Sequence, residues 1–263
     1  MPRAPALRGR RRPAPSRESS GLLAHLPEAF MENLQKYVAE LLGTFTLVFV
    51  GSLSILAAVA ADAPVLLAVP FGFGLALLAG LYAFGEISGG HFNPAVSLGM
   101  FATGRLDLPS LVGYWISQLA GGILASLAVL AAFSRDDVAS TATTPSATWD
   151  AFWLELLLTA VFVAVILQSS RSQRVFGTAL LAIPLTLVAI HFAAIPVSGS
   201  SVNPARTLGP AIVGNEWNDV WIYIVAPLLG AVIGAAIHAY LYGRYVVVDV
   251  ETVEVAAPED AAR

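Results

Sequence analysis

Cysteine is absent from the 263 residues, which excludes disulfides, thiol nucleophiles and cysteine metal sites. Charge is almost as scarce. Only 12% of residues are Asp, Glu, Lys or Arg, against about 25% in an ordinary soluble domain. Of the 14 basic residues, six lie before residue 18, so the stretch from Tyr37 to Tyr245 is nearly bare of charge. A soluble core of this length needs a charged coat, and this composition does not supply one. The four histidines, His25, His91, His191 and His238, never fall at the spacing of a zinc pair, so no metal site is expected. No glycine-rich phosphate loop ending in Gly-Lys-Ser/Thr is present, which leaves ATP-driven transport without support. What the chain has in excess is apolar residues, at 57%. Together these features indicate an integral membrane protein.

Six apolar segments are long enough to cross a bilayer, at about 37–59, 64–84, 109–132, 151–169, 176–195 and 219–241. Two shorter stretches, near 93–103 and 203–213, each begin at Asn-Pro-Ala. Ten helical residues cover about 15 Å, half a hydrocarbon core, so neither stretch spans alone. Residues 1–34 form an Arg- and Pro-rich tail expected to be disordered, and 246–263 a second tail. With the N-terminus inside, 12 of the 14 basic residues fall on the cytoplasmic side, which predicts that both termini are cytoplasmic.

The membrane body, residues 35–245, contains an internal repeat, one copy at about 35–132 and the other at about 151–241. Ala39-Glu40-Leu41-Leu42-Gly43-Thr44 opens the first and Leu154-Glu155-Leu156-Leu157-Leu158-Thr159 the second. Each then gives Ser-Gly, Asn-Pro-Ala and Leu-Gly, from Ser88 to Gly99 and from Ser198 to Gly209. Three spans per copy is an odd number, so the second copy lies upside down in the membrane. The predicted fold is therefore all-α, with six transmembrane helices and two re-entrant half-helices in an inverted three-plus-three repeat.

Asn93-Pro94-Ala95 and Asn203-Pro204-Ala205 suit the starts of the two half-helices, because Asn caps well and proline has no amide hydrogen to leave unpaired. Entering from opposite faces, both would aim their positive dipole ends at the midplane. Glu40 and Glu155 lie in apolar spans, where an unpaired carboxylate is expensive. We expect each to accept hydrogen bonds from the amides of a re-entrant loop. A proton relay is the alternative role. Arg206 follows the second tripeptide and offers fixed donors inside a cavity. Gly230 and Gly234 form a close-crossing step between helices.

These residues resemble the major intrinsic proteins, the aquaporin and glyceroporin family. The motifs Ser88-Gly89-Gly90-His91-Phe92-Asn93-Pro94-Ala95-Val96 and Ser201-Val202-Asn203-Pro204-Ala205-Arg206, with the paired glutamates, carry the resemblance over about 35–245. It implies a selectivity filter of Phe73, His191, Ser200 and Arg206, a second constriction at the two Asn-Pro-Ala tripeptides, and pore carbonyls from Gly89, Gly90, His91, Gly199, Ser200 and Ser201. Phe with His at the filter is similar to the water-selective subgroup, as in bacterial water channels. Glyceroporins usually place Asp after the filter arginine, where this chain has Thr207. Glu86 stands where bacterial water channels often have His, just before the first loop, and Ser200 where relatives often have Thr or Cys.

The resemblance implies a passive, water-selective channel driven by osmotic gradients that excludes ions and protons, sits in the cell membrane and assembles as a homotetramer. No cofactor, enzymatic activity or nucleic-acid partner is expected; the partners are water and the lipid bilayer. The alternative is a channel of mixed selectivity that passes glycerol, ammonia or another small neutral solute. Secondary active transport would need Glu40 and Glu155 as coupling-ion ligands, and a purely structural membrane protein would show negligible permeability. One outcome follows from composition alone. With no thiol in the chain, mercurial reagents leave its osmotic water flux unchanged in reconstituted vesicles, as read by light scattering with and without mercuric chloride.

Overall fold

The computed structural model describes residues 28–171 and 173–243, without the side chains of 28–30 and 173–178. Nine helices lie among the described residues, and six of them are long and apolar enough to cross a membrane. The long ones are α1 (Glu28–Ala60), α2 (Val65–Ser88), α4 (Leu108–Ala132), α6 (Thr148–Ser169), α7 (Gln173–Ser198) and α9 (Ile222–Tyr242). Two short helices, α3 (Pro94–Ala102) and α8 (Pro204–Gly214), are the expected half-helices. A further short helix, α5 (Arg135–Ser140), lies in the polar loop after α4. The protein is therefore an all-α, multi-pass membrane protein.

The burial pattern is inverted relative to a soluble protein. Large apolar side chains such as Leu75, Ile116, Leu157 and Tyr240 are exposed on the outside of the bundle, while Glu40, Gln118, Glu155, His191 and Arg206 are buried inside. A hydrocarbon solvent makes this the favourable arrangement.

The repeat governs the packing. In the first copy α1 packs along α2 and α4, and in the second α6 packs along α7 and α9. The copies then exchange partners: α4 carries the half-helix α8 of the second copy, and α9 carries α3 of the first. Equivalent glycines permit the equivalent crossings. A Cβ on Gly121 would collide with the carbonyl oxygen of Leu41, and one on Gly230 with that of Leu156. Gly234 abuts the carbonyl of Ala160 one turn later, so the expected close-crossing step is present between α6 and α9.

Several boundaries differ from the sequence expectation. Residues 28–34, assigned to the disordered tail, are helical, because α1 continues past the apolar span and is supported by a Lys36–Glu32 ion pair one turn apart. The rest of that tail and the C-terminal tail at 246–263 lie outside the described residues. Helices α2 and α7 outrun their apolar stretches to Ser88 and Ser198. Each ends at a glycine in the left-handed region, Gly89 at φ 90° and Gly199 at φ 70°, so a backbone stop rather than a fall in hydropathy sets the end. Helix α9 starts at Ile222 rather than 219, because Trp217 to Trp221 form turns around Asp219 at φ 51°.

Replacing Gly230 by valine drives a branched side chain into the Leu156 carbonyl. We expect a loss of about 1–3 kcal/mol or more, measured as a lower unfolding temperature of the detergent-purified protein, whereas Gly104→Ala, which meets open space though its backbone is left-handed (φ 75°), costs less.

Candidate functional site

The two half-helices meet tip to tip, each preceded by a loop that carries almost no regular hydrogen bonding of its own. Buried carboxylates supply what is missing. Glu40 Oε1 accepts from the Ser88 hydroxyl at 2.6 Å and the His91 amide at 2.9 Å. Its Oε2 accepts from the Phe92 amide and the Gln118 side chain, both at 2.7 Å. Glu155 repeats the pattern: Oε1 takes the Ser198 hydroxyl at 2.8 Å and the Ser201 amide at 2.9 Å, and Oε2 the Val202 amide at 2.7 Å. Tyr114 donates to the Ser88 carbonyl and Tyr223 to the Ser198 carbonyl, each at 2.6 Å. Both loops are thereby held at their start and along their length.

These loops adopt backbone that residues with side chains rarely take. Phe92 and Val202 lie at φ 50° and 47°, and Ser200 at 56°. For a β-branched valine this is a genuine outlier, and such strain persists only where the surroundings enforce it. The carbonyls of Gly89, Gly90, His91, Gly199, Ser200 and Ser201 accept no hydrogen bond from another described residue.

At the tips, each Asn caps its own half-helix and bonds the opposite loop. Asn93 Oδ1 accepts from the Ala95 amide at 2.8 Å, and Asn203 Oδ1 from the Ala205 and Arg206 amides at 3.0 and 3.3 Å. Asn93 Nδ2 donates to the Val202 carbonyl at 2.7 Å, and Asn203 Nδ2 to the Phe92 carbonyl at 2.9 Å. An amide nitrogen has two hydrogens, so each Asn keeps one donor for the cavity it lines. Pro94, Ala95, Pro204 and Ala205 are buried behind them in the first turns.

Phe73 of α2, His191 of α7 and Arg206 of α8 converge at one level. The rings of Phe73 and His191 stack with centroids 4.8 Å apart, and the Arg206 guanidinium lies 4.8 Å from the Phe73 centroid. His191 Nδ1 sits 3.0 Å from the Leu187 carbonyl, which can only accept, so the proton is on Nδ1 and Nε2 is left as an acceptor. His191 Nε2 and Arg206 Nε are buried and have no partner among the described residues, an acceptor and a donor in residues that line the same cavity.

The loop after α5 secures this corner. The Thr141 carbonyl accepts from Arg206 Nη1 at 2.9 Å. Thr207 Oγ1 bridges Ser201 Oγ at 2.6 Å and Thr143 Oγ1 at 3.0 Å. Ser200 is fully buried with its hydroxyl unpartnered, yet it does not line the cavity, and neither does Gly199.

The cavity runs past both tips. One wall is apolar, including Leu47, Leu77, Phe162, Ile183 and Leu187; the other carries Gly89, Gly90, His91, Asn93, Ser201, Asn203 and Arg206. It holds about 50 Å³ of space open to the centre of a water molecule. At roughly 10–15 Å³ per water on this measure, that is a file of a few molecules. His91 also lines it, with Nδ1 3.0 Å from Ser97 Oγ, which accepts from Gln118 at 2.8 Å.

Sequence reasoning did not find Gln118, Ser97, Tyr114, Tyr223 or the Thr141–Thr143 clamp. The two tyrosines had a usable signal, since they follow the loop serines by 26 and 25 residues in the two copies. The clamp had none, because its partners lie 65 and 64 residues apart in a loop without a repeat counterpart. Glu86 is exposed at the end of α2, outside the cavity wall.

Residues 29–238 match the Major intrinsic protein family. The chain is 43% identical over 228 residues to a protein named Aquaporin Z from Brucella melitensis, covering 80% of this chain and 99% of that one. It is 40% identical over 210 residues to Glycerol uptake facilitator protein-like 6 from Lactiplantibacillus plantarum, covering 77% and 95%. Its fold is similar to the X-ray structure of the aquaglyceroporin from Plasmodium falciparum, with a TM-score of 0.69 and 22% identity over 78% of this chain and 95% of that one. The chain belongs to the major intrinsic protein family, whose members are passive transmembrane channels and not enzymes.

Removing a loop support is expensive. Glu155→Ala strands the Ser201 and Val202 amides in a dry interior, and at about 1–3 kcal/mol each we expect a destabilisation of several kcal/mol. Tyr223→Phe removes one hydrogen bond and costs about 1 kcal/mol. Thermal unfolding of the two variants in detergent orders them.

Proposed function

We propose that this major intrinsic protein is a water-selective channel whose filter is Phe73, His191, Arg206 and the backbone around Ser200. The observation that carries this reading is the unpartnered pair at the narrow level, His191 Nε2 as acceptor and Arg206 Nε as donor beside the Phe73 ring. A water molecule can donate to one and accept from the other, replacing part of its hydration shell. Glycerol carries a carbon backbone as well, and the stacked Phe73 and His191 rings occupy the space it would need.

Below the filter, water would move in single file between the apolar wall and the polar stripe of carbonyls and asparagines. Each free Asn93 and Asn203 hydrogen donates to the oxygen of the central water, so its own hydrogens must point to neighbours along the file. The half-helix N-termini and Arg206 place positive potential on the path, which repels cations and the excess proton alike. Glu40 and Glu155 serve as loop supports, with their oxygens engaged by donors. By the distribution of basic residues both termini are cytoplasmic, in the cell membrane. By family resemblance the channel is a homotetramer with one pore per subunit.

A second reading is a channel of mixed selectivity that passes glycerol, ammonia or another small neutral solute. The relative named a glycerol uptake facilitator-like protein supports it, at nearly the same identity as the one named Aquaporin Z. Stopped-flow light scattering on reconstituted vesicles separates the two. Water selectivity predicts fast osmotic shrinkage with glycerol uptake at the level of empty liposomes, and substantial glycerol uptake would establish the mixed reading. His191→Gly removes the ring that narrows the filter, and we expect glycerol flux to rise at least several-fold while water flux persists.

A further inference from the structure

Helices α6 and α9 run side by side and touch most closely where Gly230 and Gly234 meet the carbonyls of Leu156 and Ala160. Beyond that crossing, toward the C-terminal ends of both helices, a groove of about 520 Å³ opens on the outer face of the bundle. Its floor is two stripes at helical spacing, Leu157, Val161 and Val165 on α6 and Ile233, Ile237 and Leu241 on α9. The small side chain of Ala164 leaves room between them. The groove is part of a membrane-spanning surface, so hydrocarbon meets it from outside.

One end of this groove is chemically different. His238 lines it at 3% exposure, and its buried Nε2 and the buried Oε1 of Gln168, which also lines it, have no hydrogen-bond partner among the described residues. The His238 ring packs on Tyr242 at 5.0 Å. Arg171 lies over the other side of the sequence of rings, 5.6 Å from the Tyr242 centroid, and donates to the Tyr242 carbonyl at 3.0 Å. The exposed Arg171 guanidinium has five N–H donors, so it retains several for a ligand at the water interface. His238 also lines a second pocket, shared with Arg105 and Gly243. An apolar trough ends on two unsatisfied polar atoms and then on a cation held at headgroup depth.

We propose that this groove is a binding site for an anionic phospholipid, with one acyl chain along α6 and α9 and the phosphate on Arg171. Arg171 can pair with phosphate through two parallel hydrogen bonds, and charge complementarity selects an anionic headgroup because a zwitterionic one adds a cation that the guanidinium repels. The His238 imidazole donates to an ester carbonyl between tail and phosphate. The lipid bridges the ends of α6 and α9, which Arg171 joins through the Tyr242 carbonyl.

The test uses the full chain purified in detergent, with lipid retention counted by native mass spectrometry. Phosphatidylglycerol and phosphatidylcholine with identical acyl chains are compared, with inorganic phosphate as a competitor. We expect one phosphatidylglycerol to be retained with about tenfold preference, unaffected by millimolar phosphate. Arg171→Gln abolishes the preference and Arg171→Lys keeps part of it. Val161→Trp, at a position already facing lipid, fills the trough and removes retention of both lipids. Equal retention of the two lipids by the unmodified chain overturns the proposal, as does displacement by phosphate alone. Retention of phosphatidylglycerol by Val161→Trp overturns it too. So does dissociation of the assembled protein by that substitution with no headgroup preference in the parent, which would assign the groove to a second copy of the chain.

Discussion

Irregular backbone cannot lie in a bilayer unless something other than water completes its hydrogen bonds, and the rest of this structure follows from how that is done. Two carboxylates buried in the first helix of each repeat accept the amides of the re-entrant loops. Because a carboxylate only accepts, it engages amides and leaves the loop carbonyls alone. The carbonyls of Gly89, Gly90, His91, Gly199, Ser200 and Ser201 then have no hydrogen-bond partner among the described residues, and four of the residues that own them line the cavity. Support and function are thus the same geometry seen from two sides: turning the donors outward to the glutamates turns the acceptors inward to the lumen. The left-handed residues in each loop are what this costs, and the glutamates and the tyrosines hold them there.

The asparagines extend the same logic to the tips. A cap made by Oδ1 leaves two hydrogens on Nδ2, and one of these joins the opposite loop. Each half-helix is therefore fastened to its mirror by a pair of reciprocal bonds, which fixes the separation of the two positive helix ends. The exchange of half-helices between copies, α8 on α4 and α3 on α9, supports the same point from the outside. Neither copy can shift along the membrane normal without carrying the other's tip.

Much of this was legible in the sequence because the bilayer is a demanding solvent. Span count and repeat inversion follow from apolar length and parity, and the unusual residues Glu40, Glu155, Asn93, Asn203 and Arg206 stand out against an apolar background. The ends of α2 and α7 were misjudged because hydropathy falls before the helix does, while Gly89 and Gly199 carry the actual stop. The start of α1 was misjudged for the opposite reason, since polar residues continue a helix that water can solvate. Gln118 was missed because a glutamine in an apolar helix has no partner visible until the loop is folded against it.

The departures from the repeat are as instructive as the repeat. Where the first loop has Gly90 and His91, the second has Ser200 and Ser201, and Gln118 contributes a fourth donor to Glu40 that Glu155 lacks. The first loop is anchored from within, through Gln118, Ser97 and the His91 ring. The second is anchored from without, by a segment with no counterpart in the other copy, through Thr141 on Arg206 and Thr143 on Thr207. A strictly symmetric pair of loops would give two equivalent mouths. The symmetry fails at the loop that carries Arg206. Thr207 fits this scheme because a hydroxyl both donates and accepts, and so links Ser201 to Thr143 in a single chain. A carboxylate at that position could accept from both hydroxyls but donate to neither, and it would bring a negative charge beside Arg206.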